Sequence, residues 1–406
     1  MIGGGIVGAA VAHALLDEGH TVDLVDKDGS ASAAARGNAG WIAHLDIQPL
    51  ASPKVWRHLP AWALDPLGPL SIAPAHLPRL LPWLARFVSA SRPSRIEANS
   101  KAIQAIQRLS MPAWERRFAA LDLGGLVRRR GILDVWTDPA AFAASAALHK
   151  RMDALGIPLE RLDNAGVRRI EPAFGAAIAG GVLFPTGAHV ADPAIVLGKL
   201  RELAALRQAR LVDGKAARVA PSGDGLSITL ASGETLTAER VVISAGAWSR
   251  ELARQFGDDV PLDTERGYNI TLAPGALGLT RPVMHVGLGI ATSPLDTGDR
   301  IGGSVEFAGL DAPPNWKRVD AILARLKRTL PDAKPGEGTR WMGFRPSFPD
   351  SRPVIGRSRD DGRVFYAFGH GHHGLTQAAA TAEIVAALVA GRTPPIDAAP
   401  YSPARF

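Results

Sequence analysis

The chain opens with Met1-Ile2-Gly3-Gly4-Gly5-Ile6-Val7-Gly8, which contains the pattern G-x-G-x-x-G and leads into a stretch with helical apolar spacing. A buried-strand stretch, 21–25, then ends at Asp26. In a strand–turn–helix unit, such glycines permit a tight turn, close approach of a pyrophosphate and close packing of helix on strand. The pattern predicts a Rossmann-like dinucleotide site, with a ribose bound at Asp26. A glycine-rich turn without a ligand is the alternative.

The strand before this turn is unusually short. Only Met1 and Ile2 precede the first glycine, whereas strands usually have about five residues. A central parallel strand of two residues would leave its neighbours unpaired. We therefore expect the natural chain to begin upstream of Met1.

Composition limits the class of protein. The 406 residues, 46% apolar and 21% charged, indicate a globular protein of two or three domains. The lack of cysteine excludes disulfides, thiolate metal sites, a cysteine nucleophile and a flavin linked through cysteine. The net charge of +7 permits an anionic partner, but the densest basic run is only Arg128-Arg129-Arg130, which favours scattered solvated arginines. The longest uncharged stretch, 172–191, is interrupted by glycines and prolines and does not indicate a membrane-spanning helix.

A loop of small residues after the second strand favours FAD over NAD. Residues 29–35 are only Gly, Ser and Ala, and they lead to Arg36-Gly37-Asn38-Ala39-Gly40-Trp41-Ile42. With this loop the chain resembles the D-amino acid oxidase (DAO) superfamily of FAD enzymes, and within it the bacterial D-amino acid dehydrogenases. Small residues let backbone N–H groups approach phosphates and the flavin ring. A flexible Ala/Ser linker is the alternative.

Two later stretches occur in the order that the resemblance requires. A buried strand at 240–244 runs into Ala245-Gly246-Ala247-Trp248-Ser249, a turn that contacts the cofactor in the family. The stretch 343–356 resembles the family's Arg-Pro…Asp…Pro…Ile-Gly signature, and a second glycine-rich turn at 369–376 opens a helix. The N-terminus of that helix would aim N–H groups at the pyrimidine end of the flavin. Asp26 and Ala216 stand where glutamate and a larger aliphatic residue are commoner in the family.

The resemblance implies an α/β fold, α+β overall. A Rossmann-like FAD-binding domain of the glutathione-reductase type is interleaved with a substrate domain built on a mixed or antiparallel sheet. We assign 1–48, 188–260 and 343–406 to the FAD-binding domain. The ranges 49–187 and 261–342 form the substrate domain, with the helices of 49–118 ambiguous. A proline at 112 predicts a split in the helical region 96–118.

FAD, bound without a covalent link, is the implied cofactor, and no metal ion is expected. Three histidines at 370, 372 and 373 allow a metal site as the alternative, but no supporting carboxylate or cysteine lies nearby in the sequence. The residues that the resemblance places against FAD are Gly3, Gly5, Ile6, Val7, Gly8, Asp26, Lys27, Ala35, Asn38, Ala39, Gly40, Trp41, Ile42, Ala216, Ala245, Gly246, Trp248, Gly371, His372, His373, Gly374, Leu375 and Thr376.

Four residues are candidates for contact with a substrate. Arg345 matches the arginine that binds the substrate carboxylate in related amine oxidases, and a planar guanidinium suits bidentate binding. Tyr268 offers a hydroxyl to the carboxylate or amine, and His373 and His44 are placed near the flavin. A structural arginine and a packed tyrosine are the alternatives.

The resemblance implies oxidative deamination or dehydrogenation of small D-amino or imino acids. A hydride passes from Cα to flavin N5, and the electrons pass to a quinone or another acceptor. A soluble oxidase of glycine, sarcosine or similar secondary amino acids that uses O2 is the main alternative. An RNA-modifying flavoprotein and a non-catalytic flavoprotein subunit are further ones, and no nucleic acid partner is expected.

The segment 49–91 is rich in tryptophan, leucine and proline, and four of its five charged residues are basic. Such a segment suits a membrane interface, and packing against the core as an irregular subdomain is the alternative. We expect a cytoplasmic protein, with peripheral contact at the inner face of the cytoplasmic membrane if the first interpretation holds.

Overall fold

The computed structural model describes residues 1–51, 65–333 and 336–406. The α-helices in these ranges are α1 Ile6–Asp17, α2 Leu77–Ala90, α3 Pro93–Ala120, α4 Pro139–Ala144, α5 Ala146–Ala154, α6 Asn164–Ile170, α7 Pro193–Leu206, α8 Ser249–Arg254, α9 Lys317–Leu326 and α10 Gly374–Val389. Short 3-10 turns lie at Ala34–Gly37, Gly124–Leu126, Gly246–Trp248, Gly371–His373, Ala399–Tyr401 and Pro403–Arg405.

The strands in the same ranges are β1 Asp23–Asp26, β2 Trp41–Ile42, β3 Leu70–Ile72, β4 Val127–Arg128, β5 Ile132–Trp136, β6 Glu160–Leu162, β7 Gly180–Phe184, β8 Ala188–Val190, β9 Arg210–Asp213, β10 Ala216–Ser222, β11 Gly225–Leu230, β12 Thr235–Ala238, β13 Val241–Ile243, β14 Asp263–Thr271, β15 Val283–His285, β16 Ile290–Leu295, β17 Gly298–Phe307, β18 Thr339–Ser347, β19 Val354–Arg357 and β20 Val364–Phe368.

A mostly parallel sheet, with β19 antiparallel beside β20, surrounds the opening turn and is called the parallel sheet below. β9 pairs with β1 and β13 pairs with β20, both in parallel. Ile2 joins these halves, because it forms parallel bridges to Val25 of β1 and Ile243 of β13. Its N–H donates to the Val242 carbonyl at 2.9 Å, and its carbonyl accepts from the Ser244 N–H at 2.7 Å. The expectation that so short a first strand leaves its neighbours unpaired is therefore wrong.

This sheet is covered on both faces. Helices α1, α3, α7 and α10 pack on one face in a core that includes Val242, Phe365 and Ala367. The antiparallel sheet β10–β11–β12 and α8 pack on the other, against Tyr366 and Phe368. Neighbouring residues of β20 thus point to opposite cores, as expected for a strand buried on both faces.

The second large element is a mixed sheet in the order β18-β14-β17-β16-β15-β5-β7-β6, with β3 beside β17. Only the β15–β5 and β17–β3 pairs are parallel. One face packs on α9, where Tyr268, Ile270 and Ile301 meet Val319 and Ile322. The combination of a helix-covered parallel sheet with a large, mostly antiparallel sheet confirms the predicted fold class.

Helix α3 corrects the predicted split at Pro112. It runs unbroken from Pro93 to Ala120, and its buried face continues past the proline, from Ile106 to Trp114 and Phe118. Trp114 Nε1 donates to the Leu375 carbonyl at 2.8 Å, which ties this part of α3 to α10. Tertiary packing therefore holds the helix together where proline removes a backbone hydrogen bond.

The aromatic segment 49–91 is described only in part. Trp56 and Trp62 lie outside the described residues, whereas α2 forms the end of the segment. Trp83 of α2 is only 6% exposed, and its Nε1 donates to the Ser347 carbonyl at 3.3 Å. It stacks on Phe87 with ring centroids 5.1 Å apart. For this tryptophan, packing against the core is the correct interpretation.

The opposite face of α2 is apolar and exposed. Leu77, Leu81 and Val88 are 41%, 56% and 51% exposed, and Arg79 and Arg86 of the same helix are exposed as well. We call these five residues the α2 surface. In the described part of the chain, every helix is too short or too polar to cross a bilayer.

Replacing Trp83 with arginine should lower the free energy of unfolding by about 3–5 kcal/mol, because the change leaves a cavity and buries a charge. Leu81→Arg on the exposed face of the same helix should change it by less than about 0.5 kcal/mol. Urea unfolding followed by circular dichroism measures both values. Equal losses for the two variants would contradict the burial of Trp83.

Candidate active site

A cavity of about 1070 Å³ lies between the parallel sheet and the nine-stranded sheet. Residues of the first glycine-rich turn, the small-residue loop, the turn after β13 and the turn before α10 all contribute to its wall. Strands β14, β17 and β18 close the opposite side. The stretches that carry the resemblance therefore meet at one site, although they are spread over the whole chain.

The first glycine-rich turn has the geometry that its pattern predicts. Gly3 has φ +101°, a left-handed value that favours glycine. A Cβ at Gly8 would collide with the Gly3 carbonyl, so only glycine lets α1 begin this close to the turn. Gly5 precedes α1 without a side-chain cap, and the first turn of the helix holds no acidic residue. The N-terminal charge of α1 is therefore left for an anion in the cavity.

Asp26 and Lys27 lie at the end of β1, on the cavity wall. Asp26 Oδ1 accepts from the Ser30 N–H at 2.8 Å, and Oδ2 accepts from the Gly4 N–H. The carboxylate thus joins the glycine-rich turn to the small-residue loop. Lys27 Nζ lies 3.3 Å from the ring centre of Trp248, a cation–π contact between two predicted cofactor-binding residues.

Most of the predicted cofactor-binding residues line the cavity. They are Gly3, Gly5, Ile6, Val7, Asp26, Lys27, Ala35, Asn38, Ala39, Trp41, Ala216, Ala245, Gly246, Trp248, Gly371, His372, His373, Gly374 and Leu375. Gly8, Gly40, Ile42 and Thr376 are not part of the lining. Ile42 is fully buried, and Thr376 Oγ1 accepts from the Ala43 N–H at 2.9 Å. These four residues pack behind the residues that line the cavity.

Arg300 of β17 anchors the small-residue loop, a role that the sequence analysis missed. Its Nη1 donates to the carbonyls of Asn38 at 2.7 Å and Arg36 at 3.2 Å. Its Nη2 donates to Asp192 at 3.2 Å, and Asp192 also caps α7 by accepting from the Ala194 N–H. One buried guanidinium thus joins the loop, α7 and the nine-stranded sheet. No local pattern signals this, because its partners lie far away in the sequence.

The three clustered histidines face different partners. His370 is buried and hydrogen-bonds α10, and burial lowers its pKa to about 3. His372 Nε2 lies 3.4 Å from Glu265 Oε2, and burial beside Arg345 holds its pKa well below the usual range. His373 Nδ1 lies 3.3 Å from Nε2 of Gln107, on α3. In the described ranges, no group of three or more His, Cys, Asp or Glu side chains could hold a metal ion.

Arg345 presents its guanidinium to the cavity. It lies on β18 directly across from Glu265 on β14, and its side chain crosses Gly267, where any Cβ would collide with it. Nη1 donates to the Ser304 carbonyl at 3.3 Å, its one hydrogen bond to a described residue. Burial lowers the pKa of Arg345 and raises that of Glu265, while their attraction opposes both shifts. The planar fork is therefore available to a carboxylate.

Two predicted pocket residues turn away from the cavity. Tyr268 belongs to the wall, but its hydroxyl donates to Glu306 and accepts from the Asn315 N–H at 3.1 Å on the α9 side of the sheet. The structure therefore contradicts a contact between this hydroxyl and a substrate. His44 does not line the cavity, because its Nδ1 lies 3.0 Å from the Ile42 carbonyl; burial lowers its pKa. His373 does line it.

Comparison with known proteins decides the family. Residues 1–388 match the family model DAO, described as FAD dependent oxidoreductase. The chain belongs to the DAO family of FAD-dependent oxidoreductases. This DAO-family chain is 33% identical to a D-amino-acid oxidase of Bradyrhizobium diazoefficiens, in an alignment that covers 100% of this chain and 98% of the oxidase. It is 31% identical to D-amino acid dehydrogenase 2 of Ralstonia nicotianae, in an alignment that covers 100% of this chain and 99% of the dehydrogenase.

Solved structures support the same fold. Glycine oxidase from Bacillus cereus superposes with a TM-score of 0.75 and 20% identity, over 96% of this DAO-family chain and 94% of the oxidase. L-proline dehydrogenase from P. horikoshii superposes with a TM-score of 0.77 and 18% identity, over 100% and 96% of the two chains. At these identities the likeness shows the fold alone.

The cavity of this DAO-family chain fits FAD on its own geometry. An anion suits the uncapped N-terminus of α1, where Gly5, Ile6 and Val7 line the wall. A second helix, α10, begins at Gly374 of the lining, also without a side-chain cap. The two helix starts offer partial positive charge at separate parts of one cavity, as a pyrophosphate and a flavin ring require.

Replacing Gly8 with alanine should abolish retention of FAD during purification, because the new methyl group forces α1 away from the turn. Gly198→Ala is the matched control: Gly198 lies in α7, and a Cβ there meets no atom within 4 Å. Visible absorbance of the purified proteins measures flavin content. Normal flavin content in the Gly8 variant would show that this contact does not shape the site.

Proposed function

We propose that the chain oxidises small D-amino or imino acids and passes the electrons to a quinone or another acceptor. Three findings support the proposal: membership of an FAD-dependent family, two full-length relatives named for D-amino acid oxidation, and a half-buried arginine in the cavity wall. Arg345 carries the argument, because it is held in place and retains free N–H groups.

Arg345 would bind and orient the substrate carboxylate. Its fork lies across Gly267 on one wall of the cavity, and the uncapped start of α10 lies on another. Two parallel hydrogen bonds to a carboxylate fix the orientation of the Cα that carries it. Orientation of Cα–H toward the hydride acceptor is the main demand of such a reaction. Glu265, the partner of the arginine on the neighbouring strand, limits the positive charge of the site.

When bound, FAD supplies the acceptor for the hydride that leaves Cα. The substrate amine has to be neutral, so that its lone pair stabilises the developing iminium. The buried histidines nearest the flavin end of the cavity suit this demand: His370 and His372 have lowered pKa values and stay neutral near pH 7. The product is an imine, which water converts to a 2-oxo acid and ammonia, or a cyclic imine from a proline-like substrate.

A soluble oxidase that uses O2 is the second candidate. The Bradyrhizobium relative is named an oxidase, and so is the superposed glycine oxidase. The Ralstonia relative, at a similar identity, is named a dehydrogenase. The electron acceptor therefore has to be measured directly.

Arg345→Met should cost about 2–5 kcal/mol of transition-state stabilisation with D-amino acids, and Arg345→Lys should not restore it, because lysine lacks the planar fork. The matched control is Arg340→Met on the same strand, which removes an exposed ion pair with Asp320. Anaerobic flavin reduction by D-alanine and by ethylamine measures the effect. An unchanged preference for the acid over the amine would assign the carboxylate contact to another group.

We place peripheral membrane contact, if electrons go to a membrane quinone, on the α2 surface. Leu77, Leu81 and Val88 supply an exposed apolar stripe, and the exposed Arg79 and Arg86 add positive charge elsewhere on the same helix. Apolar insertion of such a helix face combines with attraction to anionic lipid, to which each basic residue adds about 1 kcal/mol.

Sedimentation with anionic vesicles at low and high salt tests this surface. Leu81→Glu should lower vesicle binding at least about tenfold, because it puts a negative charge on the stripe. Leu206→Glu, a change at a leucine of α7 that is 73% exposed, should leave binding unchanged. Parallel assays of quinone reduction and peroxide release identify the acceptor. Rapid peroxide release by a protein that never sediments would favour the soluble oxidase.

A further inference from the structure

The cavity face of the nine-stranded sheet holds one charged residue in an otherwise uncharged row. Register partners cross the sheet from β7 to β18. In order they are Val182, Asp134, Met284, Ala291, Gly302, Asn269 and Trp341. All except Val182 line the cavity. Asp134 of β5 is the exception to a row of apolar and neutral side chains.

The Asp134 carboxylate has no hydrogen bond or ion pair with any residue in the described ranges. Three buried carboxylates of the described chain are paired with arginine. Glu171 lies 2.7 Å from Arg281, Asp258 lies 2.6 Å from Arg359, and Asp350 is held by Arg352 and Arg405. Such pairing is the rule, because an ionised group loses hydration when it is buried.

A carboxylate left unpaired in a cavity wall is therefore a candidate for contact with a ligand. Burial raises the pKa of Asp134 to about 7, and the negative charge of Asp46 adds to the rise. Asp46 also lines the cavity, but it is 56% exposed and lies 3.6 Å from His373 Nε2. One carboxylate thus faces solvent near the second glycine-rich turn, and the other lies deeper. A cation between them would lower the energy of both ionised groups.

The walls beside Asp134 suit an aliphatic chain. Trp136 follows it by two residues on the same face of β5, and Met284 is its register partner on β15. Leu148 and Met152 of α5 line the same part of the cavity. Apolar walls with one carboxylate match an aliphatic side chain that ends in a positive charge.

Two cationic groups of the cavity lining are already engaged by neighbouring residues. Arg300 is bound to Asp192, and Lys27 lies on the Trp248 ring. No cation of the described residues pairs with Asp134, which leaves this carboxylate open to a cation supplied by a ligand.

We propose that Asp134, assisted by Asp46, binds a cationic group at the end of the substrate side chain. The preferred substrates are then D-amino acids that end in an ammonium or guanidinium group. This inference rests on the proposed function, which it narrows: Arg345 binds the α-carboxylate and Asp134 selects the side chain. The charge requirement separates these substrates from neutral amino acids of the same length.

The test compares D-lysine with D-norleucine, which has a similar aliphatic side chain without the ammonium group. Holoenzyme is mixed anaerobically with each amino acid, and the rate of flavin reduction divided by the apparent Kd gives the preference. Wild type, Asp134→Asn and Asp134→Glu are compared. Asp153→Asn, an exposed carboxylate on α5 outside the cavity, is the control.

We expect wild type to prefer D-lysine at least about tenfold, a typical factor for one close charge pair. Asp134→Asn should remove this preference and leave D-norleucine within about threefold, because it keeps the shape and removes the charge. Asp134→Glu should retain part of the preference, and Asp153→Asn should retain all of it. Wild type without a preference, or an Asn variant that keeps it, would overturn the inference.

A preference for D-glutamate would also overturn it, because a protonated Asp134 would then be donating to an acid. L-lysine and L-norleucine are run in parallel to test the stereochemistry. If no amino acid of either hand reduces the flavin, the proposed function fails. Calorimetric binding of D-lysine and D-norleucine to oxidised wild type and Asp134→Asn then tests the inference separately. Tighter binding of D-lysine by wild type, lost in Asp134→Asn, supports it. Equal binding of the two amino acids by wild type, or the same selectivity in both proteins, refutes it.

Discussion

The guanidinium of Arg300 is the interaction on which the site depends. It is buried, and it binds two carbonyls of the small-residue loop, the Asp192 carboxylate at the start of α7 and the Thr271 hydroxyl of β14. Burial lowers its pKa, and the negative charge of Asp192 opposes that shift. A buried charge pair has a defined geometry, because losing either partner leaves an uncompensated charge. The parallel sheet and the nine-stranded sheet are thereby held at the spacing that leaves the cavity between them.

The fold and the cofactor side of the site follow from local sequence. Gly3 and Gly8 are required by backbone geometry, and Asp192-Pro193 supplies the cap and the first residue of α7. Such requirements are visible in any stretch of a few residues. They predict the two glycine-rich turns and the small-residue loop. Membership of the DAO family confirms the predicted use of FAD. The role of the arginine of β18 comes from the resemblance and stays a prediction.

The substrate side of the site depends on strand register, which the sequence does not reveal. Tyr268 and Asn269 are neighbours on β14, yet the Tyr268 hydroxyl is bound by Glu306 and Asn315 on the α9 side, whereas Asn269 faces the cavity. The pairing of β14 with β17 shifts between Arg266 and Tyr268, where Ser304 has a positive φ. Such a bulge changes which residues share a face. The positions of Glu265 and Asp134 in the site could not be predicted for the same reason. Each depends on which residue of a neighbouring strand lies beside it.

The single bridging residue of the parallel sheet has a consequence for biosynthesis. Ile2 is held between Val25 and Ile243, and the helix that follows it packs against α10 near the end of the chain. A chain emerges from the ribosome N-terminus first, and distant contacts form late. The first glycine-rich turn therefore cannot take its final shape until residue 243 has emerged. We therefore expect a cofactor that binds this turn to be captured late in folding, after strands β1 to β13 have been synthesised.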